Sequence, residues 1–108
     1  MSTAVDLAVG VAASAGDKTA VNVGNKTPFL PGRDAVAHFY AEGQAGTAPA
    51  WAIDGSDDNS TWTADIATSV VANGHDSVSV KVYKYMRASV TTAAGSTAGT
   101  LSVWLEAA

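Results

Sequence analysis

Cysteine is absent from this chain, which removes two ways of holding a small protein together, disulfides and thiolate metal sites. At 108 residues it makes one domain with a modest core, so side-chain packing or contacts between subunits must carry its stability. Charge is also scarce: only 15% of residues are Asp, Glu, Lys or Arg, and 6 Lys and Arg face 10 Asp and Glu. A net charge of −4 excludes general attraction to a phosphate backbone, which needs clustered cations, and nucleic acid is not an expected partner. No apolar run is long enough to cross a bilayer as a helix, so no membrane partner is expected. The N-terminal stretch has no basic region, and Asp6 interrupts it. Despite a cleavage-like Ala13-Ser14-Ala15, it reads as a strand and not as a secretory signal.

Ala, Ser, Thr, Val and Gly fill the chain instead, a composition suited to strands packed through small side chains rather than to helices. The clearest element is Ser77-Val78-Ser79-Val80-Lys81-Val82-Tyr83, where apolar and polar residues alternate as only an extended backbone with one buried face requires. Val5 to Ala13 alternates similarly, turns at Ala15 to Lys18, and is expected to return as a hairpin over Thr19 to Val23. Pro28 and Pro31 bracket Phe29 and Leu30 in a connecting loop, because proline has no donor for a central strand. Strands are further expected over Ala35 to Ala41, Ala50 to Asp54, Ser77 to Thr92 and Gly99 to Glu106, with one or two short ones from Trp62 and from Ile66 to Val71. Asn73-Gly74 carries the signature of a type I′ hairpin turn, and Glu42 to Pro49 and Ala93 to Ala98 read as connections.

About seven or eight such strands predict an all-β fold: an antiparallel two-sheet sandwich, jelly-roll-like, with an immunoglobulin-like sandwich as the alternative. No internal repeat of fixed period divides the chain.

Several clusters invite a chemical reading. Asp54, Asp57, Asp58 and Asn59 offer the hard oxygens that calcium prefers, but not at EF-hand spacing. A turn whose Asx side chains bond their own backbone explains the same residues. The chain has two histidines, His38 and His75, without metal-ligand spacing, and structural roles are expected of both. No nucleophile motif and no pair of carboxylates flanking a groove is recognisable, so neither enzyme activity nor a cofactor is expected.

The outward faces of the C-terminal strands are more suggestive. With Val78, Val80 and Val82 inward, Lys81, Tyr83, Tyr85 and Arg87 are expected to point outward together, unless a bulge near Lys84 reverses the phase. Inward Leu101, Val103 and Leu105 put Trp104 outward between Ser102 and Glu106. Tyr, Trp and Arg are the residue types that dominate protein interfaces, and an aromatic platform for sugar rings is a second use of the same pattern. Phe29 and Leu30 read as a plug over one end of the core or as a second contact patch.

The succession Ser56-Asp57-Asp58-Asn59-Ser60-Thr61-Trp62-Thr63, then Tyr83-Lys84-Tyr85-Met86-Arg87-Ala88-Ser89-Val90-Thr91-Thr92, then Gly99-Thr100-Leu101-Ser102-Val103-Trp104-Leu105 resembles the capsid decoration or cement proteins of tailed bacteriophages. The resemblance implies a non-enzymatic protein, homotrimeric or homodimeric, on the outer surface of the virion, clamping neighbouring subunits of the major capsid protein. It further implies Tyr83, Tyr85, Arg87 and Trp104 as contact residues, Phe29 and Leu30 as a second patch, and strand addition by the segment Ser2 to Ala15 to a neighbouring chain. The first of these motifs also resembles the turn of discoidin and galactose-binding-like modules, which implies carbohydrate binding instead. A tail- or fibre-associated structural domain is a further alternative.

Overall fold

The computed structural model describes residues 4–12, 16–24, 29–44, 49–70, 73–92 and 99–107. Within them the chain forms β1 (Ala4–Ala12), β2 (Gly16–Asp17), β3 (Val21–Asn22), β4 (Asp34–Glu42), β5 (Ala50–Ser56), β6 (Trp62–Ser69), β7 (Gly74–Lys81), β8 (Tyr85–Thr92) and β9 (Thr100–Ala107). One sheet runs β1-β9-β4-β7; the other runs β2-β8-β5-β6, with β3 also on β8. Every pairing is antiparallel.

Because β2 and β3 both lie along β8, they act as one interrupted strand. The pairings β1 with β9, β2/β3 with β8, β4 with β7 and β5 with β6 are then nested like the turns of one folded-over hairpin. Rolled into two stacked sheets, that nesting is a jelly roll, the predicted variant.

The core follows the period-two rule. Ala35, Ala37, Phe39 and Ala41 on β4 and Leu101, Val103 and Leu105 on β9 turn inward, meeting Trp51, Ile53, Met86, Ala88 and Val90 from the opposite sheet. Small alanines on β4 leave room for the large rings, and Phe39 sets its edge against Trp51 at a centroid distance of 5.1 Å and 84°. Gly55 is required by close approach: a Cβ there would sit 2.5 Å from the Tyr83 ring and 3.0 Å from Ile66 Cδ1.

Several local expectations are corrected. The first hairpin does not form, since β1 pairs with β9 while β2 and β3 lie in the other sheet. Residues 4–12 form an edge strand that pairs with β9 of their own chain; the rest of the segment Ser2 to Ala15 is outside the described residues. The inward alternation of β1 breaks at Ala8, where a bulge buries Leu7 and Ala8 in succession and turns Val9 out to 68% exposure. Gly74 has the expected positive φ of 117°, yet Asn73-Gly74 leads from β6 in one sheet to β7 in the other, so it closes no hairpin. The run Ser77 to Thr92 is two strands, because Val82 to Lys84 carry the chain between the sheets. The expected connections at 25–28, 45–48 and 93–98 lie outside the described residues.

Candidate functional site

The crossing at Val82 to Lys84 separates the expected contact residues. Lys81 lies on the outer face of the β1-β9-β4-β7 sheet, as does Trp104, whereas Tyr85 and Arg87 lie on the outer face of the other. They cannot form one patch with Tyr83, which is half-buried against the core at the crossing. The parity of the sequence persists through the crossing, and so Val82 and Met86 are both buried although their sheets face opposite ways.

Arg87 is committed internally. Its register partner on β5 is Asp54, only 4% exposed, and the guanidinium donates to Asp54 Oδ2 through Nε at 3.2 Å and pairs through Nη2 with Asp17 Oδ2 at 3.2 Å. The other Asp54 oxygen accepts the backbone N–H of Asp65, which stands at a φ of 57°. The guanidinium also lies 4.1 Å from the Trp62 ring centroid. One arginine thus joins four strands, from Asp17 on β2 across β8 and β5 to Trp62 on β6. Tyr85, beside it, lies 5.5 Å from the Lys84 ammonium.

The acidic turn is organised by its own backbone. Asp58 Oδ1 accepts from the N–H groups of Ser60 and Thr61 at 2.9 and 2.8 Å and from the Ser56 hydroxyl at 3.0 Å. These donors hold the Asp58 carboxyl below its ordinary value, the backbone N–H groups of Thr61 and Ser60 foremost. Asp54, the first residue of the calcium alternative, instead accepts from Arg87 and from the Asp65 backbone. Among the described residues no three His, Cys, Asp or Glu side chains converge to hold a metal ion.

Phe29 is 2% exposed and is the core plug, so it presents no contact surface; Leu30, beside it, is 49% exposed. Three depressions of about 390, 430 and 160 Å³ border Tyr83, where the edges of the two sheets stand apart.

The most organised polar cluster is one the sequence did not assemble, on the outer face of the β1-β9-β4-β7 sheet. His38 lies directly opposite Trp104 on β9, and Tyr40 directly opposite His75 on β7. His38 Nδ1 and His75 Nε2 are 2.7 Å apart, and their centroids are 5.0 Å apart with planes 15° from parallel. That spacing is one hydrogen bond plus two ring radii, so the imidazoles lie edge to edge. The indole of Trp104 runs parallel to both, at 5.2 Å from His38 and 5.9 Å from His75.

Glu106 Oε1 lies 3.3 Å from His38 Nε2 and accepts the indole N–H at 3.3 Å. A carboxylate only accepts, so with both rings neutral His38 carries its proton on Nε2 and takes that of His75 Nε2 on Nδ1. Beside the cluster, Tyr40 donates to Glu42 Oε2 at 3.2 Å, and this bond and the carboxylate charge raise the phenol above its ordinary value. Among the described residues no hydroxyl or amine hydrogen-bonds either imidazole of the chain Glu106-His38-His75. What it does is fix the orientation of Trp104.

Comparisons with protein-family models, with curated proteins and with solved structures return no match for this chain.

Proposed function

We propose that this protein is a non-enzymatic structural component of a viral shell, a capsid decoration or cement protein that binds the major capsid protein through the outer face of its β1-β9-β4-β7 sheet. The observation that carries this reading is the pre-ordered row Trp104, His38, His75 and Tyr40. Its rings are locked by their own hydrogen bonds and stacking, so little side-chain freedom is lost when a flat partner surface covers them. The row lies on an open sheet face, and one indole face is already given to imidazoles. That suits a protein surface better than a sugar ring seated on bare tryptophan. Repetition over a symmetric shell turns such weak contacts into firm attachment.

The test is co-sedimentation with assembled capsid shells. The wild-type protein is expected to pellet with shells, and Trp104→Ala to lose at least tenfold in affinity with its circular dichroism intact. No shell binding by the wild type refutes the proposal. Glycan binding that disappears in Trp104→Ala would replace it with the carbohydrate-binding reading.

A further inference from the structure

Each sheet ends in two edge strands, and exposed edges are templates for pairing with other chains unless something blunts them. Three of the four edges here are blunted. β1 carries two register shifts and the positive-φ Gly10, β2 and β3 are only two residues each and do not join into one continuous strand, and β6 shifts register against β5 around the positive-φ Asp65. β7 is different: from Gly74 to Lys81 it matches β4 residue for residue without a shift. Its charges sit towards the ends, each with an internal partner. Asp76 Oδ2 accepts the Ser69 hydroxyl at 2.7 Å, and Lys81 Nζ meets Asp34 Oδ1 at 3.1 Å. Between them Ser77, Val78, Ser79 and Val80 form an uncharged, regular edge with no further strand beside it among the described residues.

We propose that this edge is a homodimer interface, in which β7 pairs antiparallel with β7 of a second copy about a twofold axis and joins the two four-stranded sheets. The sequence of the edge is self-matching. Keeping the valines on the core side restricts the register to same-parity pairs. Centred on Ser79, the pairing sets Val78 against Val80, Ser79 against its own copy and Ser77 against Lys81, and the twofold axis keeps the two Lys81 side chains apart.

The size fits a reversible dimer. Eight residues at about 3.3 Å each give a wall roughly 26 Å long. With the shortest dimension of the molecule, 18 Å, that wall covers roughly 470 Å² per copy, about 940 Å² in all, in the range of weak, transient interfaces. The depression beside the edge, where Ile66 and Tyr83 meet Ser79 and Val80, lies where the partner strand would close over it.

Sedimentation velocity of the full chain across low to high micromolar concentration tests this. The wild type is expected to show a reversible monomer–dimer equilibrium. Ser77→Lys/Ser79→Lys, at two exposed positions, is expected to weaken it at least tenfold with thermal unfolding unchanged, because the pairing then opposes like charges at 79 with 79 and at 77 with Lys81. Val9→Lys, an exposed position on the opposite β1 edge, is expected to leave the equilibrium as it is. A wild type that stays monomeric, a stoichiometry other than two, or association that survives the double substitution overturns the proposal. None of these outcomes bears on shell co-sedimentation, so the two readings fail separately.

Discussion

Replacing Arg87 with alanine removes the partner of a carboxylate that has almost no water to turn to. The Asp54 side chain is 6% exposed and the Arg87 side chain 22%. Breaking a fully buried pair costs about 3–5 kcal/mol, mostly because the surviving charge stays buried. The partial exposure of Arg87 and the Asp65 N–H that remains on Asp54 reduce this to about 2–3 kcal/mol. Losing the guanidinium from the Trp62 ring adds about 0.5–1 kcal/mol, whereas the bond to exposed Asp17 adds little. The expected loss is therefore about 3 kcal/mol, or roughly 12–18 °C in Tm for a domain of this size. Urea unfolding followed by tryptophan fluorescence measures it. In a double-mutant cycle with Asp54→Ala, the second substitution is expected to restore about 1–3 kcal/mol, since it removes the stranded charge. An Arg87→Ala cost below about 1 kcal/mol with no coupling to Asp54 would refute the claim that this pair ties the β2-β8-β5-β6 sheet together.

Two further predictions concern the neighbouring turn and the sheet crossing. The Asp58 carboxyl is lowered in the folded protein, so its contribution is complete above the ordinary carboxylate range near 3.9 and is lost as pH falls through the folded-state value. Asp58→Asn is accordingly expected to melt below the wild type at neutral pH, with the gap in Tm closing under about pH 4; a gap independent of pH would count against the carboxylate. Gly55→Ala forces a methyl group into the Tyr83 ring and Ile66, and is expected to cost about 1–3 kcal/mol in urea unfolding, partly recovered when Tyr83→Leu is added. Equal losses with and without Tyr83→Leu would show that the strain lies elsewhere.

The strands were legible because burial writes a period of two into sequence. The expected Ala35 to Ala41 and Gly99 to Glu106 lie within one residue of β4 and β9 at each end. Pairing partners were not legible, because alternation says which face is buried and not which strand lies alongside; the false hairpin at Val5 to Val23 is that error. Tyr83, Tyr85 and Arg87 share parity with Lys81, and only the crossing at Val82 to Lys84 reveals that they face different ways. The His38–His75 bond was hidden for the same reason. The two rings are 37 positions apart and meet only because β4 pairs with β7. The internal role of Asp58 was visible, since an Asx turn is a local event between near neighbours in the chain.

The nested pairing also sets a timetable for folding. The innermost pair, β5 with β6, closes across the few residues organised by Ser56 and Asp58, while the outermost, β1 with β9, closes a loop of nearly the whole chain. Closure entropy grows with each enclosing pair, which places this topology among those that fold slowly for their size. During synthesis β1 emerges first and waits longest. Until residue 107 has been made, Val5, Leu7 and Ala8 have no complete sheet in which to bury, and the first of these strands to be made is the last to find its place.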